Sequence, residues 1–360
     1  MKPTLCNLPL GVFLMIFKEL PALDIQTFRS VNKYLSYFAT QSIFKYVTVT
    51  PNELSILSLA LRQAVYSLNI QFNMPECEES IRSHPFRHAD RLRRFEQQLD
   101  PKKWPALNHL HFSEHQYDEP TRNESIPEFF KSAVNSFGEG AYHIEKLSFG
   151  EPEKVGWGIC ELLTNLRDPH AIGSAFRHVK ELCLALPQAH DAANELFEGI
   201  AVLISSLPAL EKLVISGEEF EAPTGMYFPD DFFLNVSVTG LKALSLCSVR
   251  FWNHNGLVNL SKNHKNTMRT LELEEVGLET GSWEGAIVDM RRCLELKVCS
   301  IVSPLEVWIN GDYAVLDQCG RTFEASLASF LLKKSDENPF LKEEIVGFQE
   351  HQGSIAETFH

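Results

Sequence analysis

One short template recurs along this chain and limits what it can become. An apolar residue is followed three positions on by Leu, and two positions later by another apolar residue. It fits Val65/Leu68/Ile70, Leu107/Leu110/Phe112, Ile144/Leu147/Phe149 and Val179/Leu182/Leu184. It fits again at Leu210/Leu213/Ile215, Leu241/Leu244/Leu246, Met268/Leu271/Leu273 and Val302/Leu305/Val307. Successive central leucines lie 27 to 42 residues apart. Apolar pairs two residues apart, such as Leu213 and Ile215, mark short strands with one buried face, because strand side chains alternate between faces. Apolar residues at helical spacing fill the intervals, at 87–99, 157–166, 195–207 and 283–296. Strand and helix alternating in this way predict an α/β fold.

Two architectures share that alternation. A doubly wound domain normally carries a Gly-rich phosphate turn after a strand. The G-x-G pairs at Gly138/Gly140 and Gly156/Gly158 lack the third glycine and read as turns. A stacked solenoid therefore fits better, over residues 51–310. Residues 311–360 would form its closing cap, with a helix at 323–332 and a frayed tail. Loops are expected at 73–85 and 113–125, which are rich in Glu, Ser, Asn and Pro.

The repeats resemble irregular leucine-rich repeats, with long variable helices and no consistent Asn ladder. The resemblance implies a strand–helix horseshoe. In such a solenoid each central Leu points inward, so its immediate neighbours face the concave side. Those neighbours include His109, His111, Lys146, Ser148, Glu181, Cys183, Lys212, Val214, Thr270, Glu272 and Glu306, and Trp308 is placed on the same face. The face is expected to bear His and Lys early and acid late. His109, His111, Lys146, Lys212, Glu272, Glu306 and Trp308 are the candidates for client binding, against the plainer reading of solvated strand positions.

Residues 8–50 differ in kind. Val12, Phe13, Ile16, Phe17 and Leu20 repeat at helical spacing until Pro21, whose ring ends the helix. Asp24 can cap a second helix through Ile25, Phe28 and Val31, and a third runs from Tyr34 to Tyr46. Three short helices bury too little surface to be robust alone. The string Leu8-Pro9, Ile16, Leu20, Leu23-Asp24-Ile25, Phe28, Val31 and Phe44 resembles an F-box, departing at Gly11 and in the closing aromatic. That resemblance implies a small three-helix F-box at 1–50, docking a Skp-family adaptor of a cullin–RING ubiquitin ligase. Leu8, Pro9, Ile16, Leu20, Leu23 and Val31 would be the adaptor-binding residues. The chain would then be a substrate receptor, with an unknown client on the repeats. The alternatives are an adaptor-bound scaffold without ubiquitination, a secreted repeat protein, and an enzyme with dispersed catalytic groups.

Composition narrows the partners. The net charge of −14 disfavours a phosphate-backbone binder and a polybasic membrane-surface protein. No nucleic acid or membrane partner is expected. Lys2 and the apolar run 8–17 could mimic a secretory signal, but Lys18 and Glu19 follow directly and no small-x-small cleavage site comes after them. The eight cysteines include no C-x-x-C pair and read as reduced thiols of a cytoplasmic or nuclear protein. No nucleophile elbow, P-loop or kinase signature occurs, so no catalytic residue is assigned. His84/His88 and His109/His111/His115 lack a zinc-site pattern, so neither metal nor cofactor is expected.

Overall fold

The computed structural model describes residues 45–72, 85–114, 125–138, 143–151, 157–164, 166, 168–186, 193–217, 227–307, 313–315 and 320–341. The F-box-like stretch up to residue 44, with Leu8, Pro9, Ile16, Leu20, Leu23 and Val31, lies outside them, as do Trp308 and the tail after 341.

Nine parallel strands form the main sheet. They are β1 (Tyr46–Val49), β2 (Ser67–Phe72), β3 (His109–Glu114), β4 (Lys146–Phe149), β5 (Glu181–Ala185), β6 (Lys212–Ser216), β8 (Ala243–Cys247), β10 (Thr270–Glu274) and β12 (Val298–Val302). Their spatial order follows the chain without reversal. A doubly wound sheet reverses its order at a switch point, where its ligands bind; this sheet offers none. Helices α1 (Leu59–Arg62), α2 (Pro85–Gln98), α3 (Ser125–Phe137), α4 (Trp157–Thr164), α5 (Pro169–Ala175) and α6 (Ala193–Ser205) connect the strands through β6. Next come β7 (Tyr227–Phe228), α7 (Phe232–Asn235), β9 (Arg250–Asn253), α8 (Asn255–His264), β11 (Gly277–Thr280) and α9 (Trp283–Cys293). The described chain continues with β13 (Leu305–Val307), β14 (Tyr313–Val315) and α10 (Gly320–Leu331).

The register explains the template. Val47, Leu68, Leu110, Leu147, Leu182, Leu213, Leu244, Leu271 and Cys299 form one continuous row across the sheet. Val49, Ile70, Phe112, Phe149, Leu184, Ile215, Leu246, Leu273 and Ile301 form the next. Both rows join the apolar faces of the helices in a single core. A one-residue slip would turn every leucine outward, so burial on one face fixes the register strand by strand.

A second sheet lies alongside, in the order β14-β13-β11-β9-β7, parallel except for β13 with β14. It arises from a repeated corner. Ser248, Glu275 and Ser303 directly follow β8, β10 and β12 and have φ of 50°, 51° and 46°. This left-handed conformation swings the chain out of the main sheet. Backbone bonds then restart one residue later, from Gly277 N to Val249 O and from Leu305 N to Val276 O.

Three expectations are corrected. Tyr46, read as the end of a third helix, is the first residue of β1, so the sheet begins inside the segment 1–50. Leu305 and Val307, read as the eighth main repeat, belong to β13 of the second sheet. Cys299 and Ile301 take the main-sheet places instead, because Ser303 and Pro304 end β12 before Leu305 is reached. Of the loops, 73–84 and 115–124 lie outside the described residues, whereas Ser113 and Glu114 end β3, and Pro85 and Ser125 open α2 and α3. Pro85 suits a first helical position, where its missing N–H is not needed. The closing helix expected at 323–332 is α10, with Phe323, Leu327, Phe330 and Leu331 buried.

Candidate functional site

The strand positions between the buried rows point to the other side of the main sheet. They too form rows: Ser67, His109, Lys146, Glu181, Lys212, Ala243, Thr270 and Val298 in one. Asn69, His111, Ser148, Cys183, Val214, Ser245, Glu272 and Ser300 make the other. Among the described residues the helices are committed to the leucine side, so these rows make an open face, although Ser67 and Ser148 within it are buried. Five of the seven client-binding candidates, His109, His111, Lys146, Lys212 and Glu272, come together on it. Glu306 does not: it sits in β13, paired with Leu278 of β11 and Ala314 of β14, in the second sheet. Trp308 lies outside the described residues.

At the β2–β4 end the face is a web of hydrogen bonds. The Nδ1 of His109 meets Ser67 Oγ at 2.8 Å and its Nε2 meets Ser148 Oγ at 2.9 Å. A neutral ring satisfies both hydroxyls, donating at one nitrogen and accepting at the other. His111 Nε2 donates to Gly150 O at 2.9 Å, and the two imidazoles stack at 6.1 Å. Ser113 Oγ donates to Asn69 Oδ1 at 2.9 Å. Burial, then the charge of Lys146 and the neighbouring His111, lower the His109 pKa to about 4. Burial also lowers His111, with the bond to Gly150 opposing.

In the middle a single carboxylate is shared by two ammonium groups. Lys146 Nζ lies 3.0 Å and Lys212 Nζ 3.5 Å from Glu181 Oε1. Burial opposes ionisation of Glu181, but its bonds to Lys146 and the nearby Lys212 charge outweigh it and lower its pKa. Burial likewise opposes the Lys146 charge, and the bond to Glu181 reverses the balance and raises it. Cys183 Sγ approaches the same carboxylate at 3.5 Å, and burial raises its pKa, leaving a protonated thiol and not a nucleophile. Such half-exposed pairs add at most about 1 kcal/mol each, so their larger effect is to fix where charge sits. One residue before the strands, Glu145 with Lys180 and Glu211 with Lys242 pair at 2.7 Å and continue the ordered charge along the rim.

Sequence reasoning missed Ser67, Asn69 and Ser113. Ser67 and Asn69 flank the central Leu68 and so were available to the template, whereas their bonds to His109 and Ser113 follow only from the register, since each partner lies 42 to 44 residues away. Among the described residues no group of three or more His, Cys, Asp or Glu could hold a metal ion, and no helix is long and apolar enough to cross a membrane. No family model matches the chain, and no curated protein matches it significantly.

The His109 geometry sets a pH dependence. The ring binds its proton less readily in the folded chain than the ordinary 6.5 of an unfolded histidine. The unfolded state therefore takes up more protons between about pH 6.5 and 4, and stability falls as pH falls through that window. His111, His178 and His264 are shifted the same way by burial. Thermal midpoints from pH 7.5 to 4.5 should decline less steeply in His109→Gln than in the wild type. Parallel curves would contradict the neutral, doubly bonded ring.

Proposed function

We propose that this chain is the substrate-recognition subunit of an SCF-type cullin–RING ubiquitin ligase, with a leucine-rich-repeat-like horseshoe carried on an F-box-like amino-terminal unit. The observation that supports the client-binding half is the open face of the nine-strand sheet, a largely polar surface with charge fixed at chosen strands. Solenoids bind partners on such extended surfaces. The docking half rests on the sequence of residues 8–50. Leu8, Pro9, Ile16, Leu20, Leu23 and Val31 would bury against the adaptor as anchors, where a few residues carry most of the energy. The chain would do no bond chemistry of its own. It would raise the effective concentration of client lysines near a charged ubiquitin-conjugating enzyme.

Affinity purification of the full chain under proteasome block tests this reading. A Skp-family adaptor should co-purify with the wild type and fall at least about tenfold with Pro9→Ala/Leu20→Ala, since hot-spot truncations cost about 2 kcal/mol each. An adaptor missing from the wild-type sample would sink the reading. Client levels that ignore the proteasome would point to a scaffold.

A further inference from the structure

We propose that the β10–β12 end of the open face receives an extended client segment that is both basic and apolar. This rests on the client-binding reading above and adds the chemistry of the segment. The outward positions of β10 are Thr270, Glu272 and Glu274, and those of β12 are Val298, Ser300 and Val302. The register sets Val298 beside Thr270, Ser300 beside Glu272 and Val302 beside Glu274. Glu272 and Glu274 are exposed, and Val298 and Val302 are 51% and 36% exposed. Two apolar side chains thus stand open to solvent against two carboxylates on the adjacent strand.

Charge decides the guest. The nearest outward cation along the rows is Lys212 on β6, two strand steps or about 10 Å from β10, and it already leans on Glu181. No salt bridge among the described residues involves Glu272 or Glu274. Burial holds the Cys247 thiol protonated, and the negative charges of Glu274 and Glu275 push it the same way. An acidic guest would meet like charge here, whereas a Lys or Arg would offset the desolvation of both carboxylates. The valines favour apolar contact, because covering them removes apolar surface from water. On an extended guest, side chains of one face recur about every 6.8 Å, close to the separation of Glu272 from Glu274 along β10. Lys212 bounds the site by repelling a basic residue placed further toward β6.

The probes are two fluorescein-labelled peptides of equal length, one repeating Arg-Arg-Val-Val and the other Glu-Glu-Val-Val, so that each face of the extended peptide carries both residue types. Binding to the full chain is read by fluorescence anisotropy at about 0.15 M salt, where long-range attraction to the acidic chain is screened. The Arg-Val peptide should bind at least tenfold tighter than the Glu-Val peptide. Glu272→Lys/Glu274→Lys should weaken it at least tenfold, and Glu272→Gln/Glu274→Gln and Val298→Ser/Val302→Ser should each weaken it several-fold. Asp90→Lys/Glu96→Lys on α2, which changes net charge equally, should leave it unchanged. Equal affinity for the two peptides, no binding, or equal loss in the α2 control would overturn the site. A failed adaptor test with peptide selectivity intact would overturn the ligase reading and leave this site standing. A successful adaptor test without selectivity would overturn this site alone.

Discussion

Gly199→Ala is expected to destabilise the fold by about 3 kcal/mol, lowering the thermal midpoint by roughly 4–5 °C. Gly199 lies in the middle of α6, where the helix crosses α4 at closest approach. A methyl group there would sit 1.8 Å from Leu163 O and 2.6 Å from Leu163 C. Both atoms are backbone, so no side chain can rotate away, and α6 must move as a unit. That shift costs packing, because Leu196, Ile200, Leu203 and Ile204 of α6 are buried in the common core. The effect reaches the site. Helix α6 joins β5 to β6, the strands that carry Glu181 and Lys212 on their open side. Gly138→Ala is the control, since its nearest neighbour is Val134 O at 3.3 Å, and it should change stability by less than about 1 kcal/mol. A midpoint for Gly199→Ala within a degree of wild type would show that α4 and α6 do not pack this closely.

The same closeness explains what could and could not be read from the sequence. The central leucines were legible because each must lie in one buried row, and a row tolerates only one register. Their neighbours His109, Lys146 and Lys212 followed, since alternation puts them on the opposite side. The ninth row position was hidden by Cys299, a thiol where the template wants Leu. Burial shows that it serves as an apolar group, with its pKa pushed up to about 12. The second sheet was illegible for another reason. Tyr227–Phe228 has two residues, too few to display a period of two, and Arg250–Asn253 sets Phe251 directly beside Trp252 with no alternation. Its cause is the left-handed residue after β8, β10 and β12, and Ser248, Glu275 and Ser303 are not glycines that would announce it. Helix α3 was available in the spacing of Ile126, Phe129, Phe130, Ala133, Val134 and Phe137, all buried, but it follows a stretch read as loop and carries no central template. The bonds of His109 to Ser67 and Ser148 join three strands and exist only after the register is set.

Arg62→Leu is expected to cost about 3 kcal/mol and to loosen the end of the sheet where β1 enters. Arg62 is a charged side chain only 5% exposed. Its guanidinium donates to Leu57 O at 2.9 Å, to Gln98 Oε1 at 2.6 Å and to Leu54 O at 2.7 Å, and lies 5.5 Å from the centre of the Trp104 ring. One planar fork thereby ties the turn at 54–57 to the end of α2, and the shorter apolar side chain of Leu leaves these acceptors without their donor. Arg62→Lys should fall between the two, because an ammonium cannot span the same fork of acceptors. Limited proteolysis should cut Arg62→Leu within 50–66 at protease levels that spare the wild type. Anisotropy at Glu272 and Glu274 should not change, since distant sites contribute independently. In the ligase reading the consequence is specific. In the sequence the turn held by Arg62 lies between residues 8–50 and β2, and proximity catalysis depends on holding client and conjugating enzyme in one geometry. Adaptor and client should therefore still bind Arg62→Leu while client ubiquitination in a reconstituted ligase falls several-fold. Ubiquitination at the wild-type rate, with proteolysis at 50–66 enhanced, would show that this end of the sheet does not set the client's position.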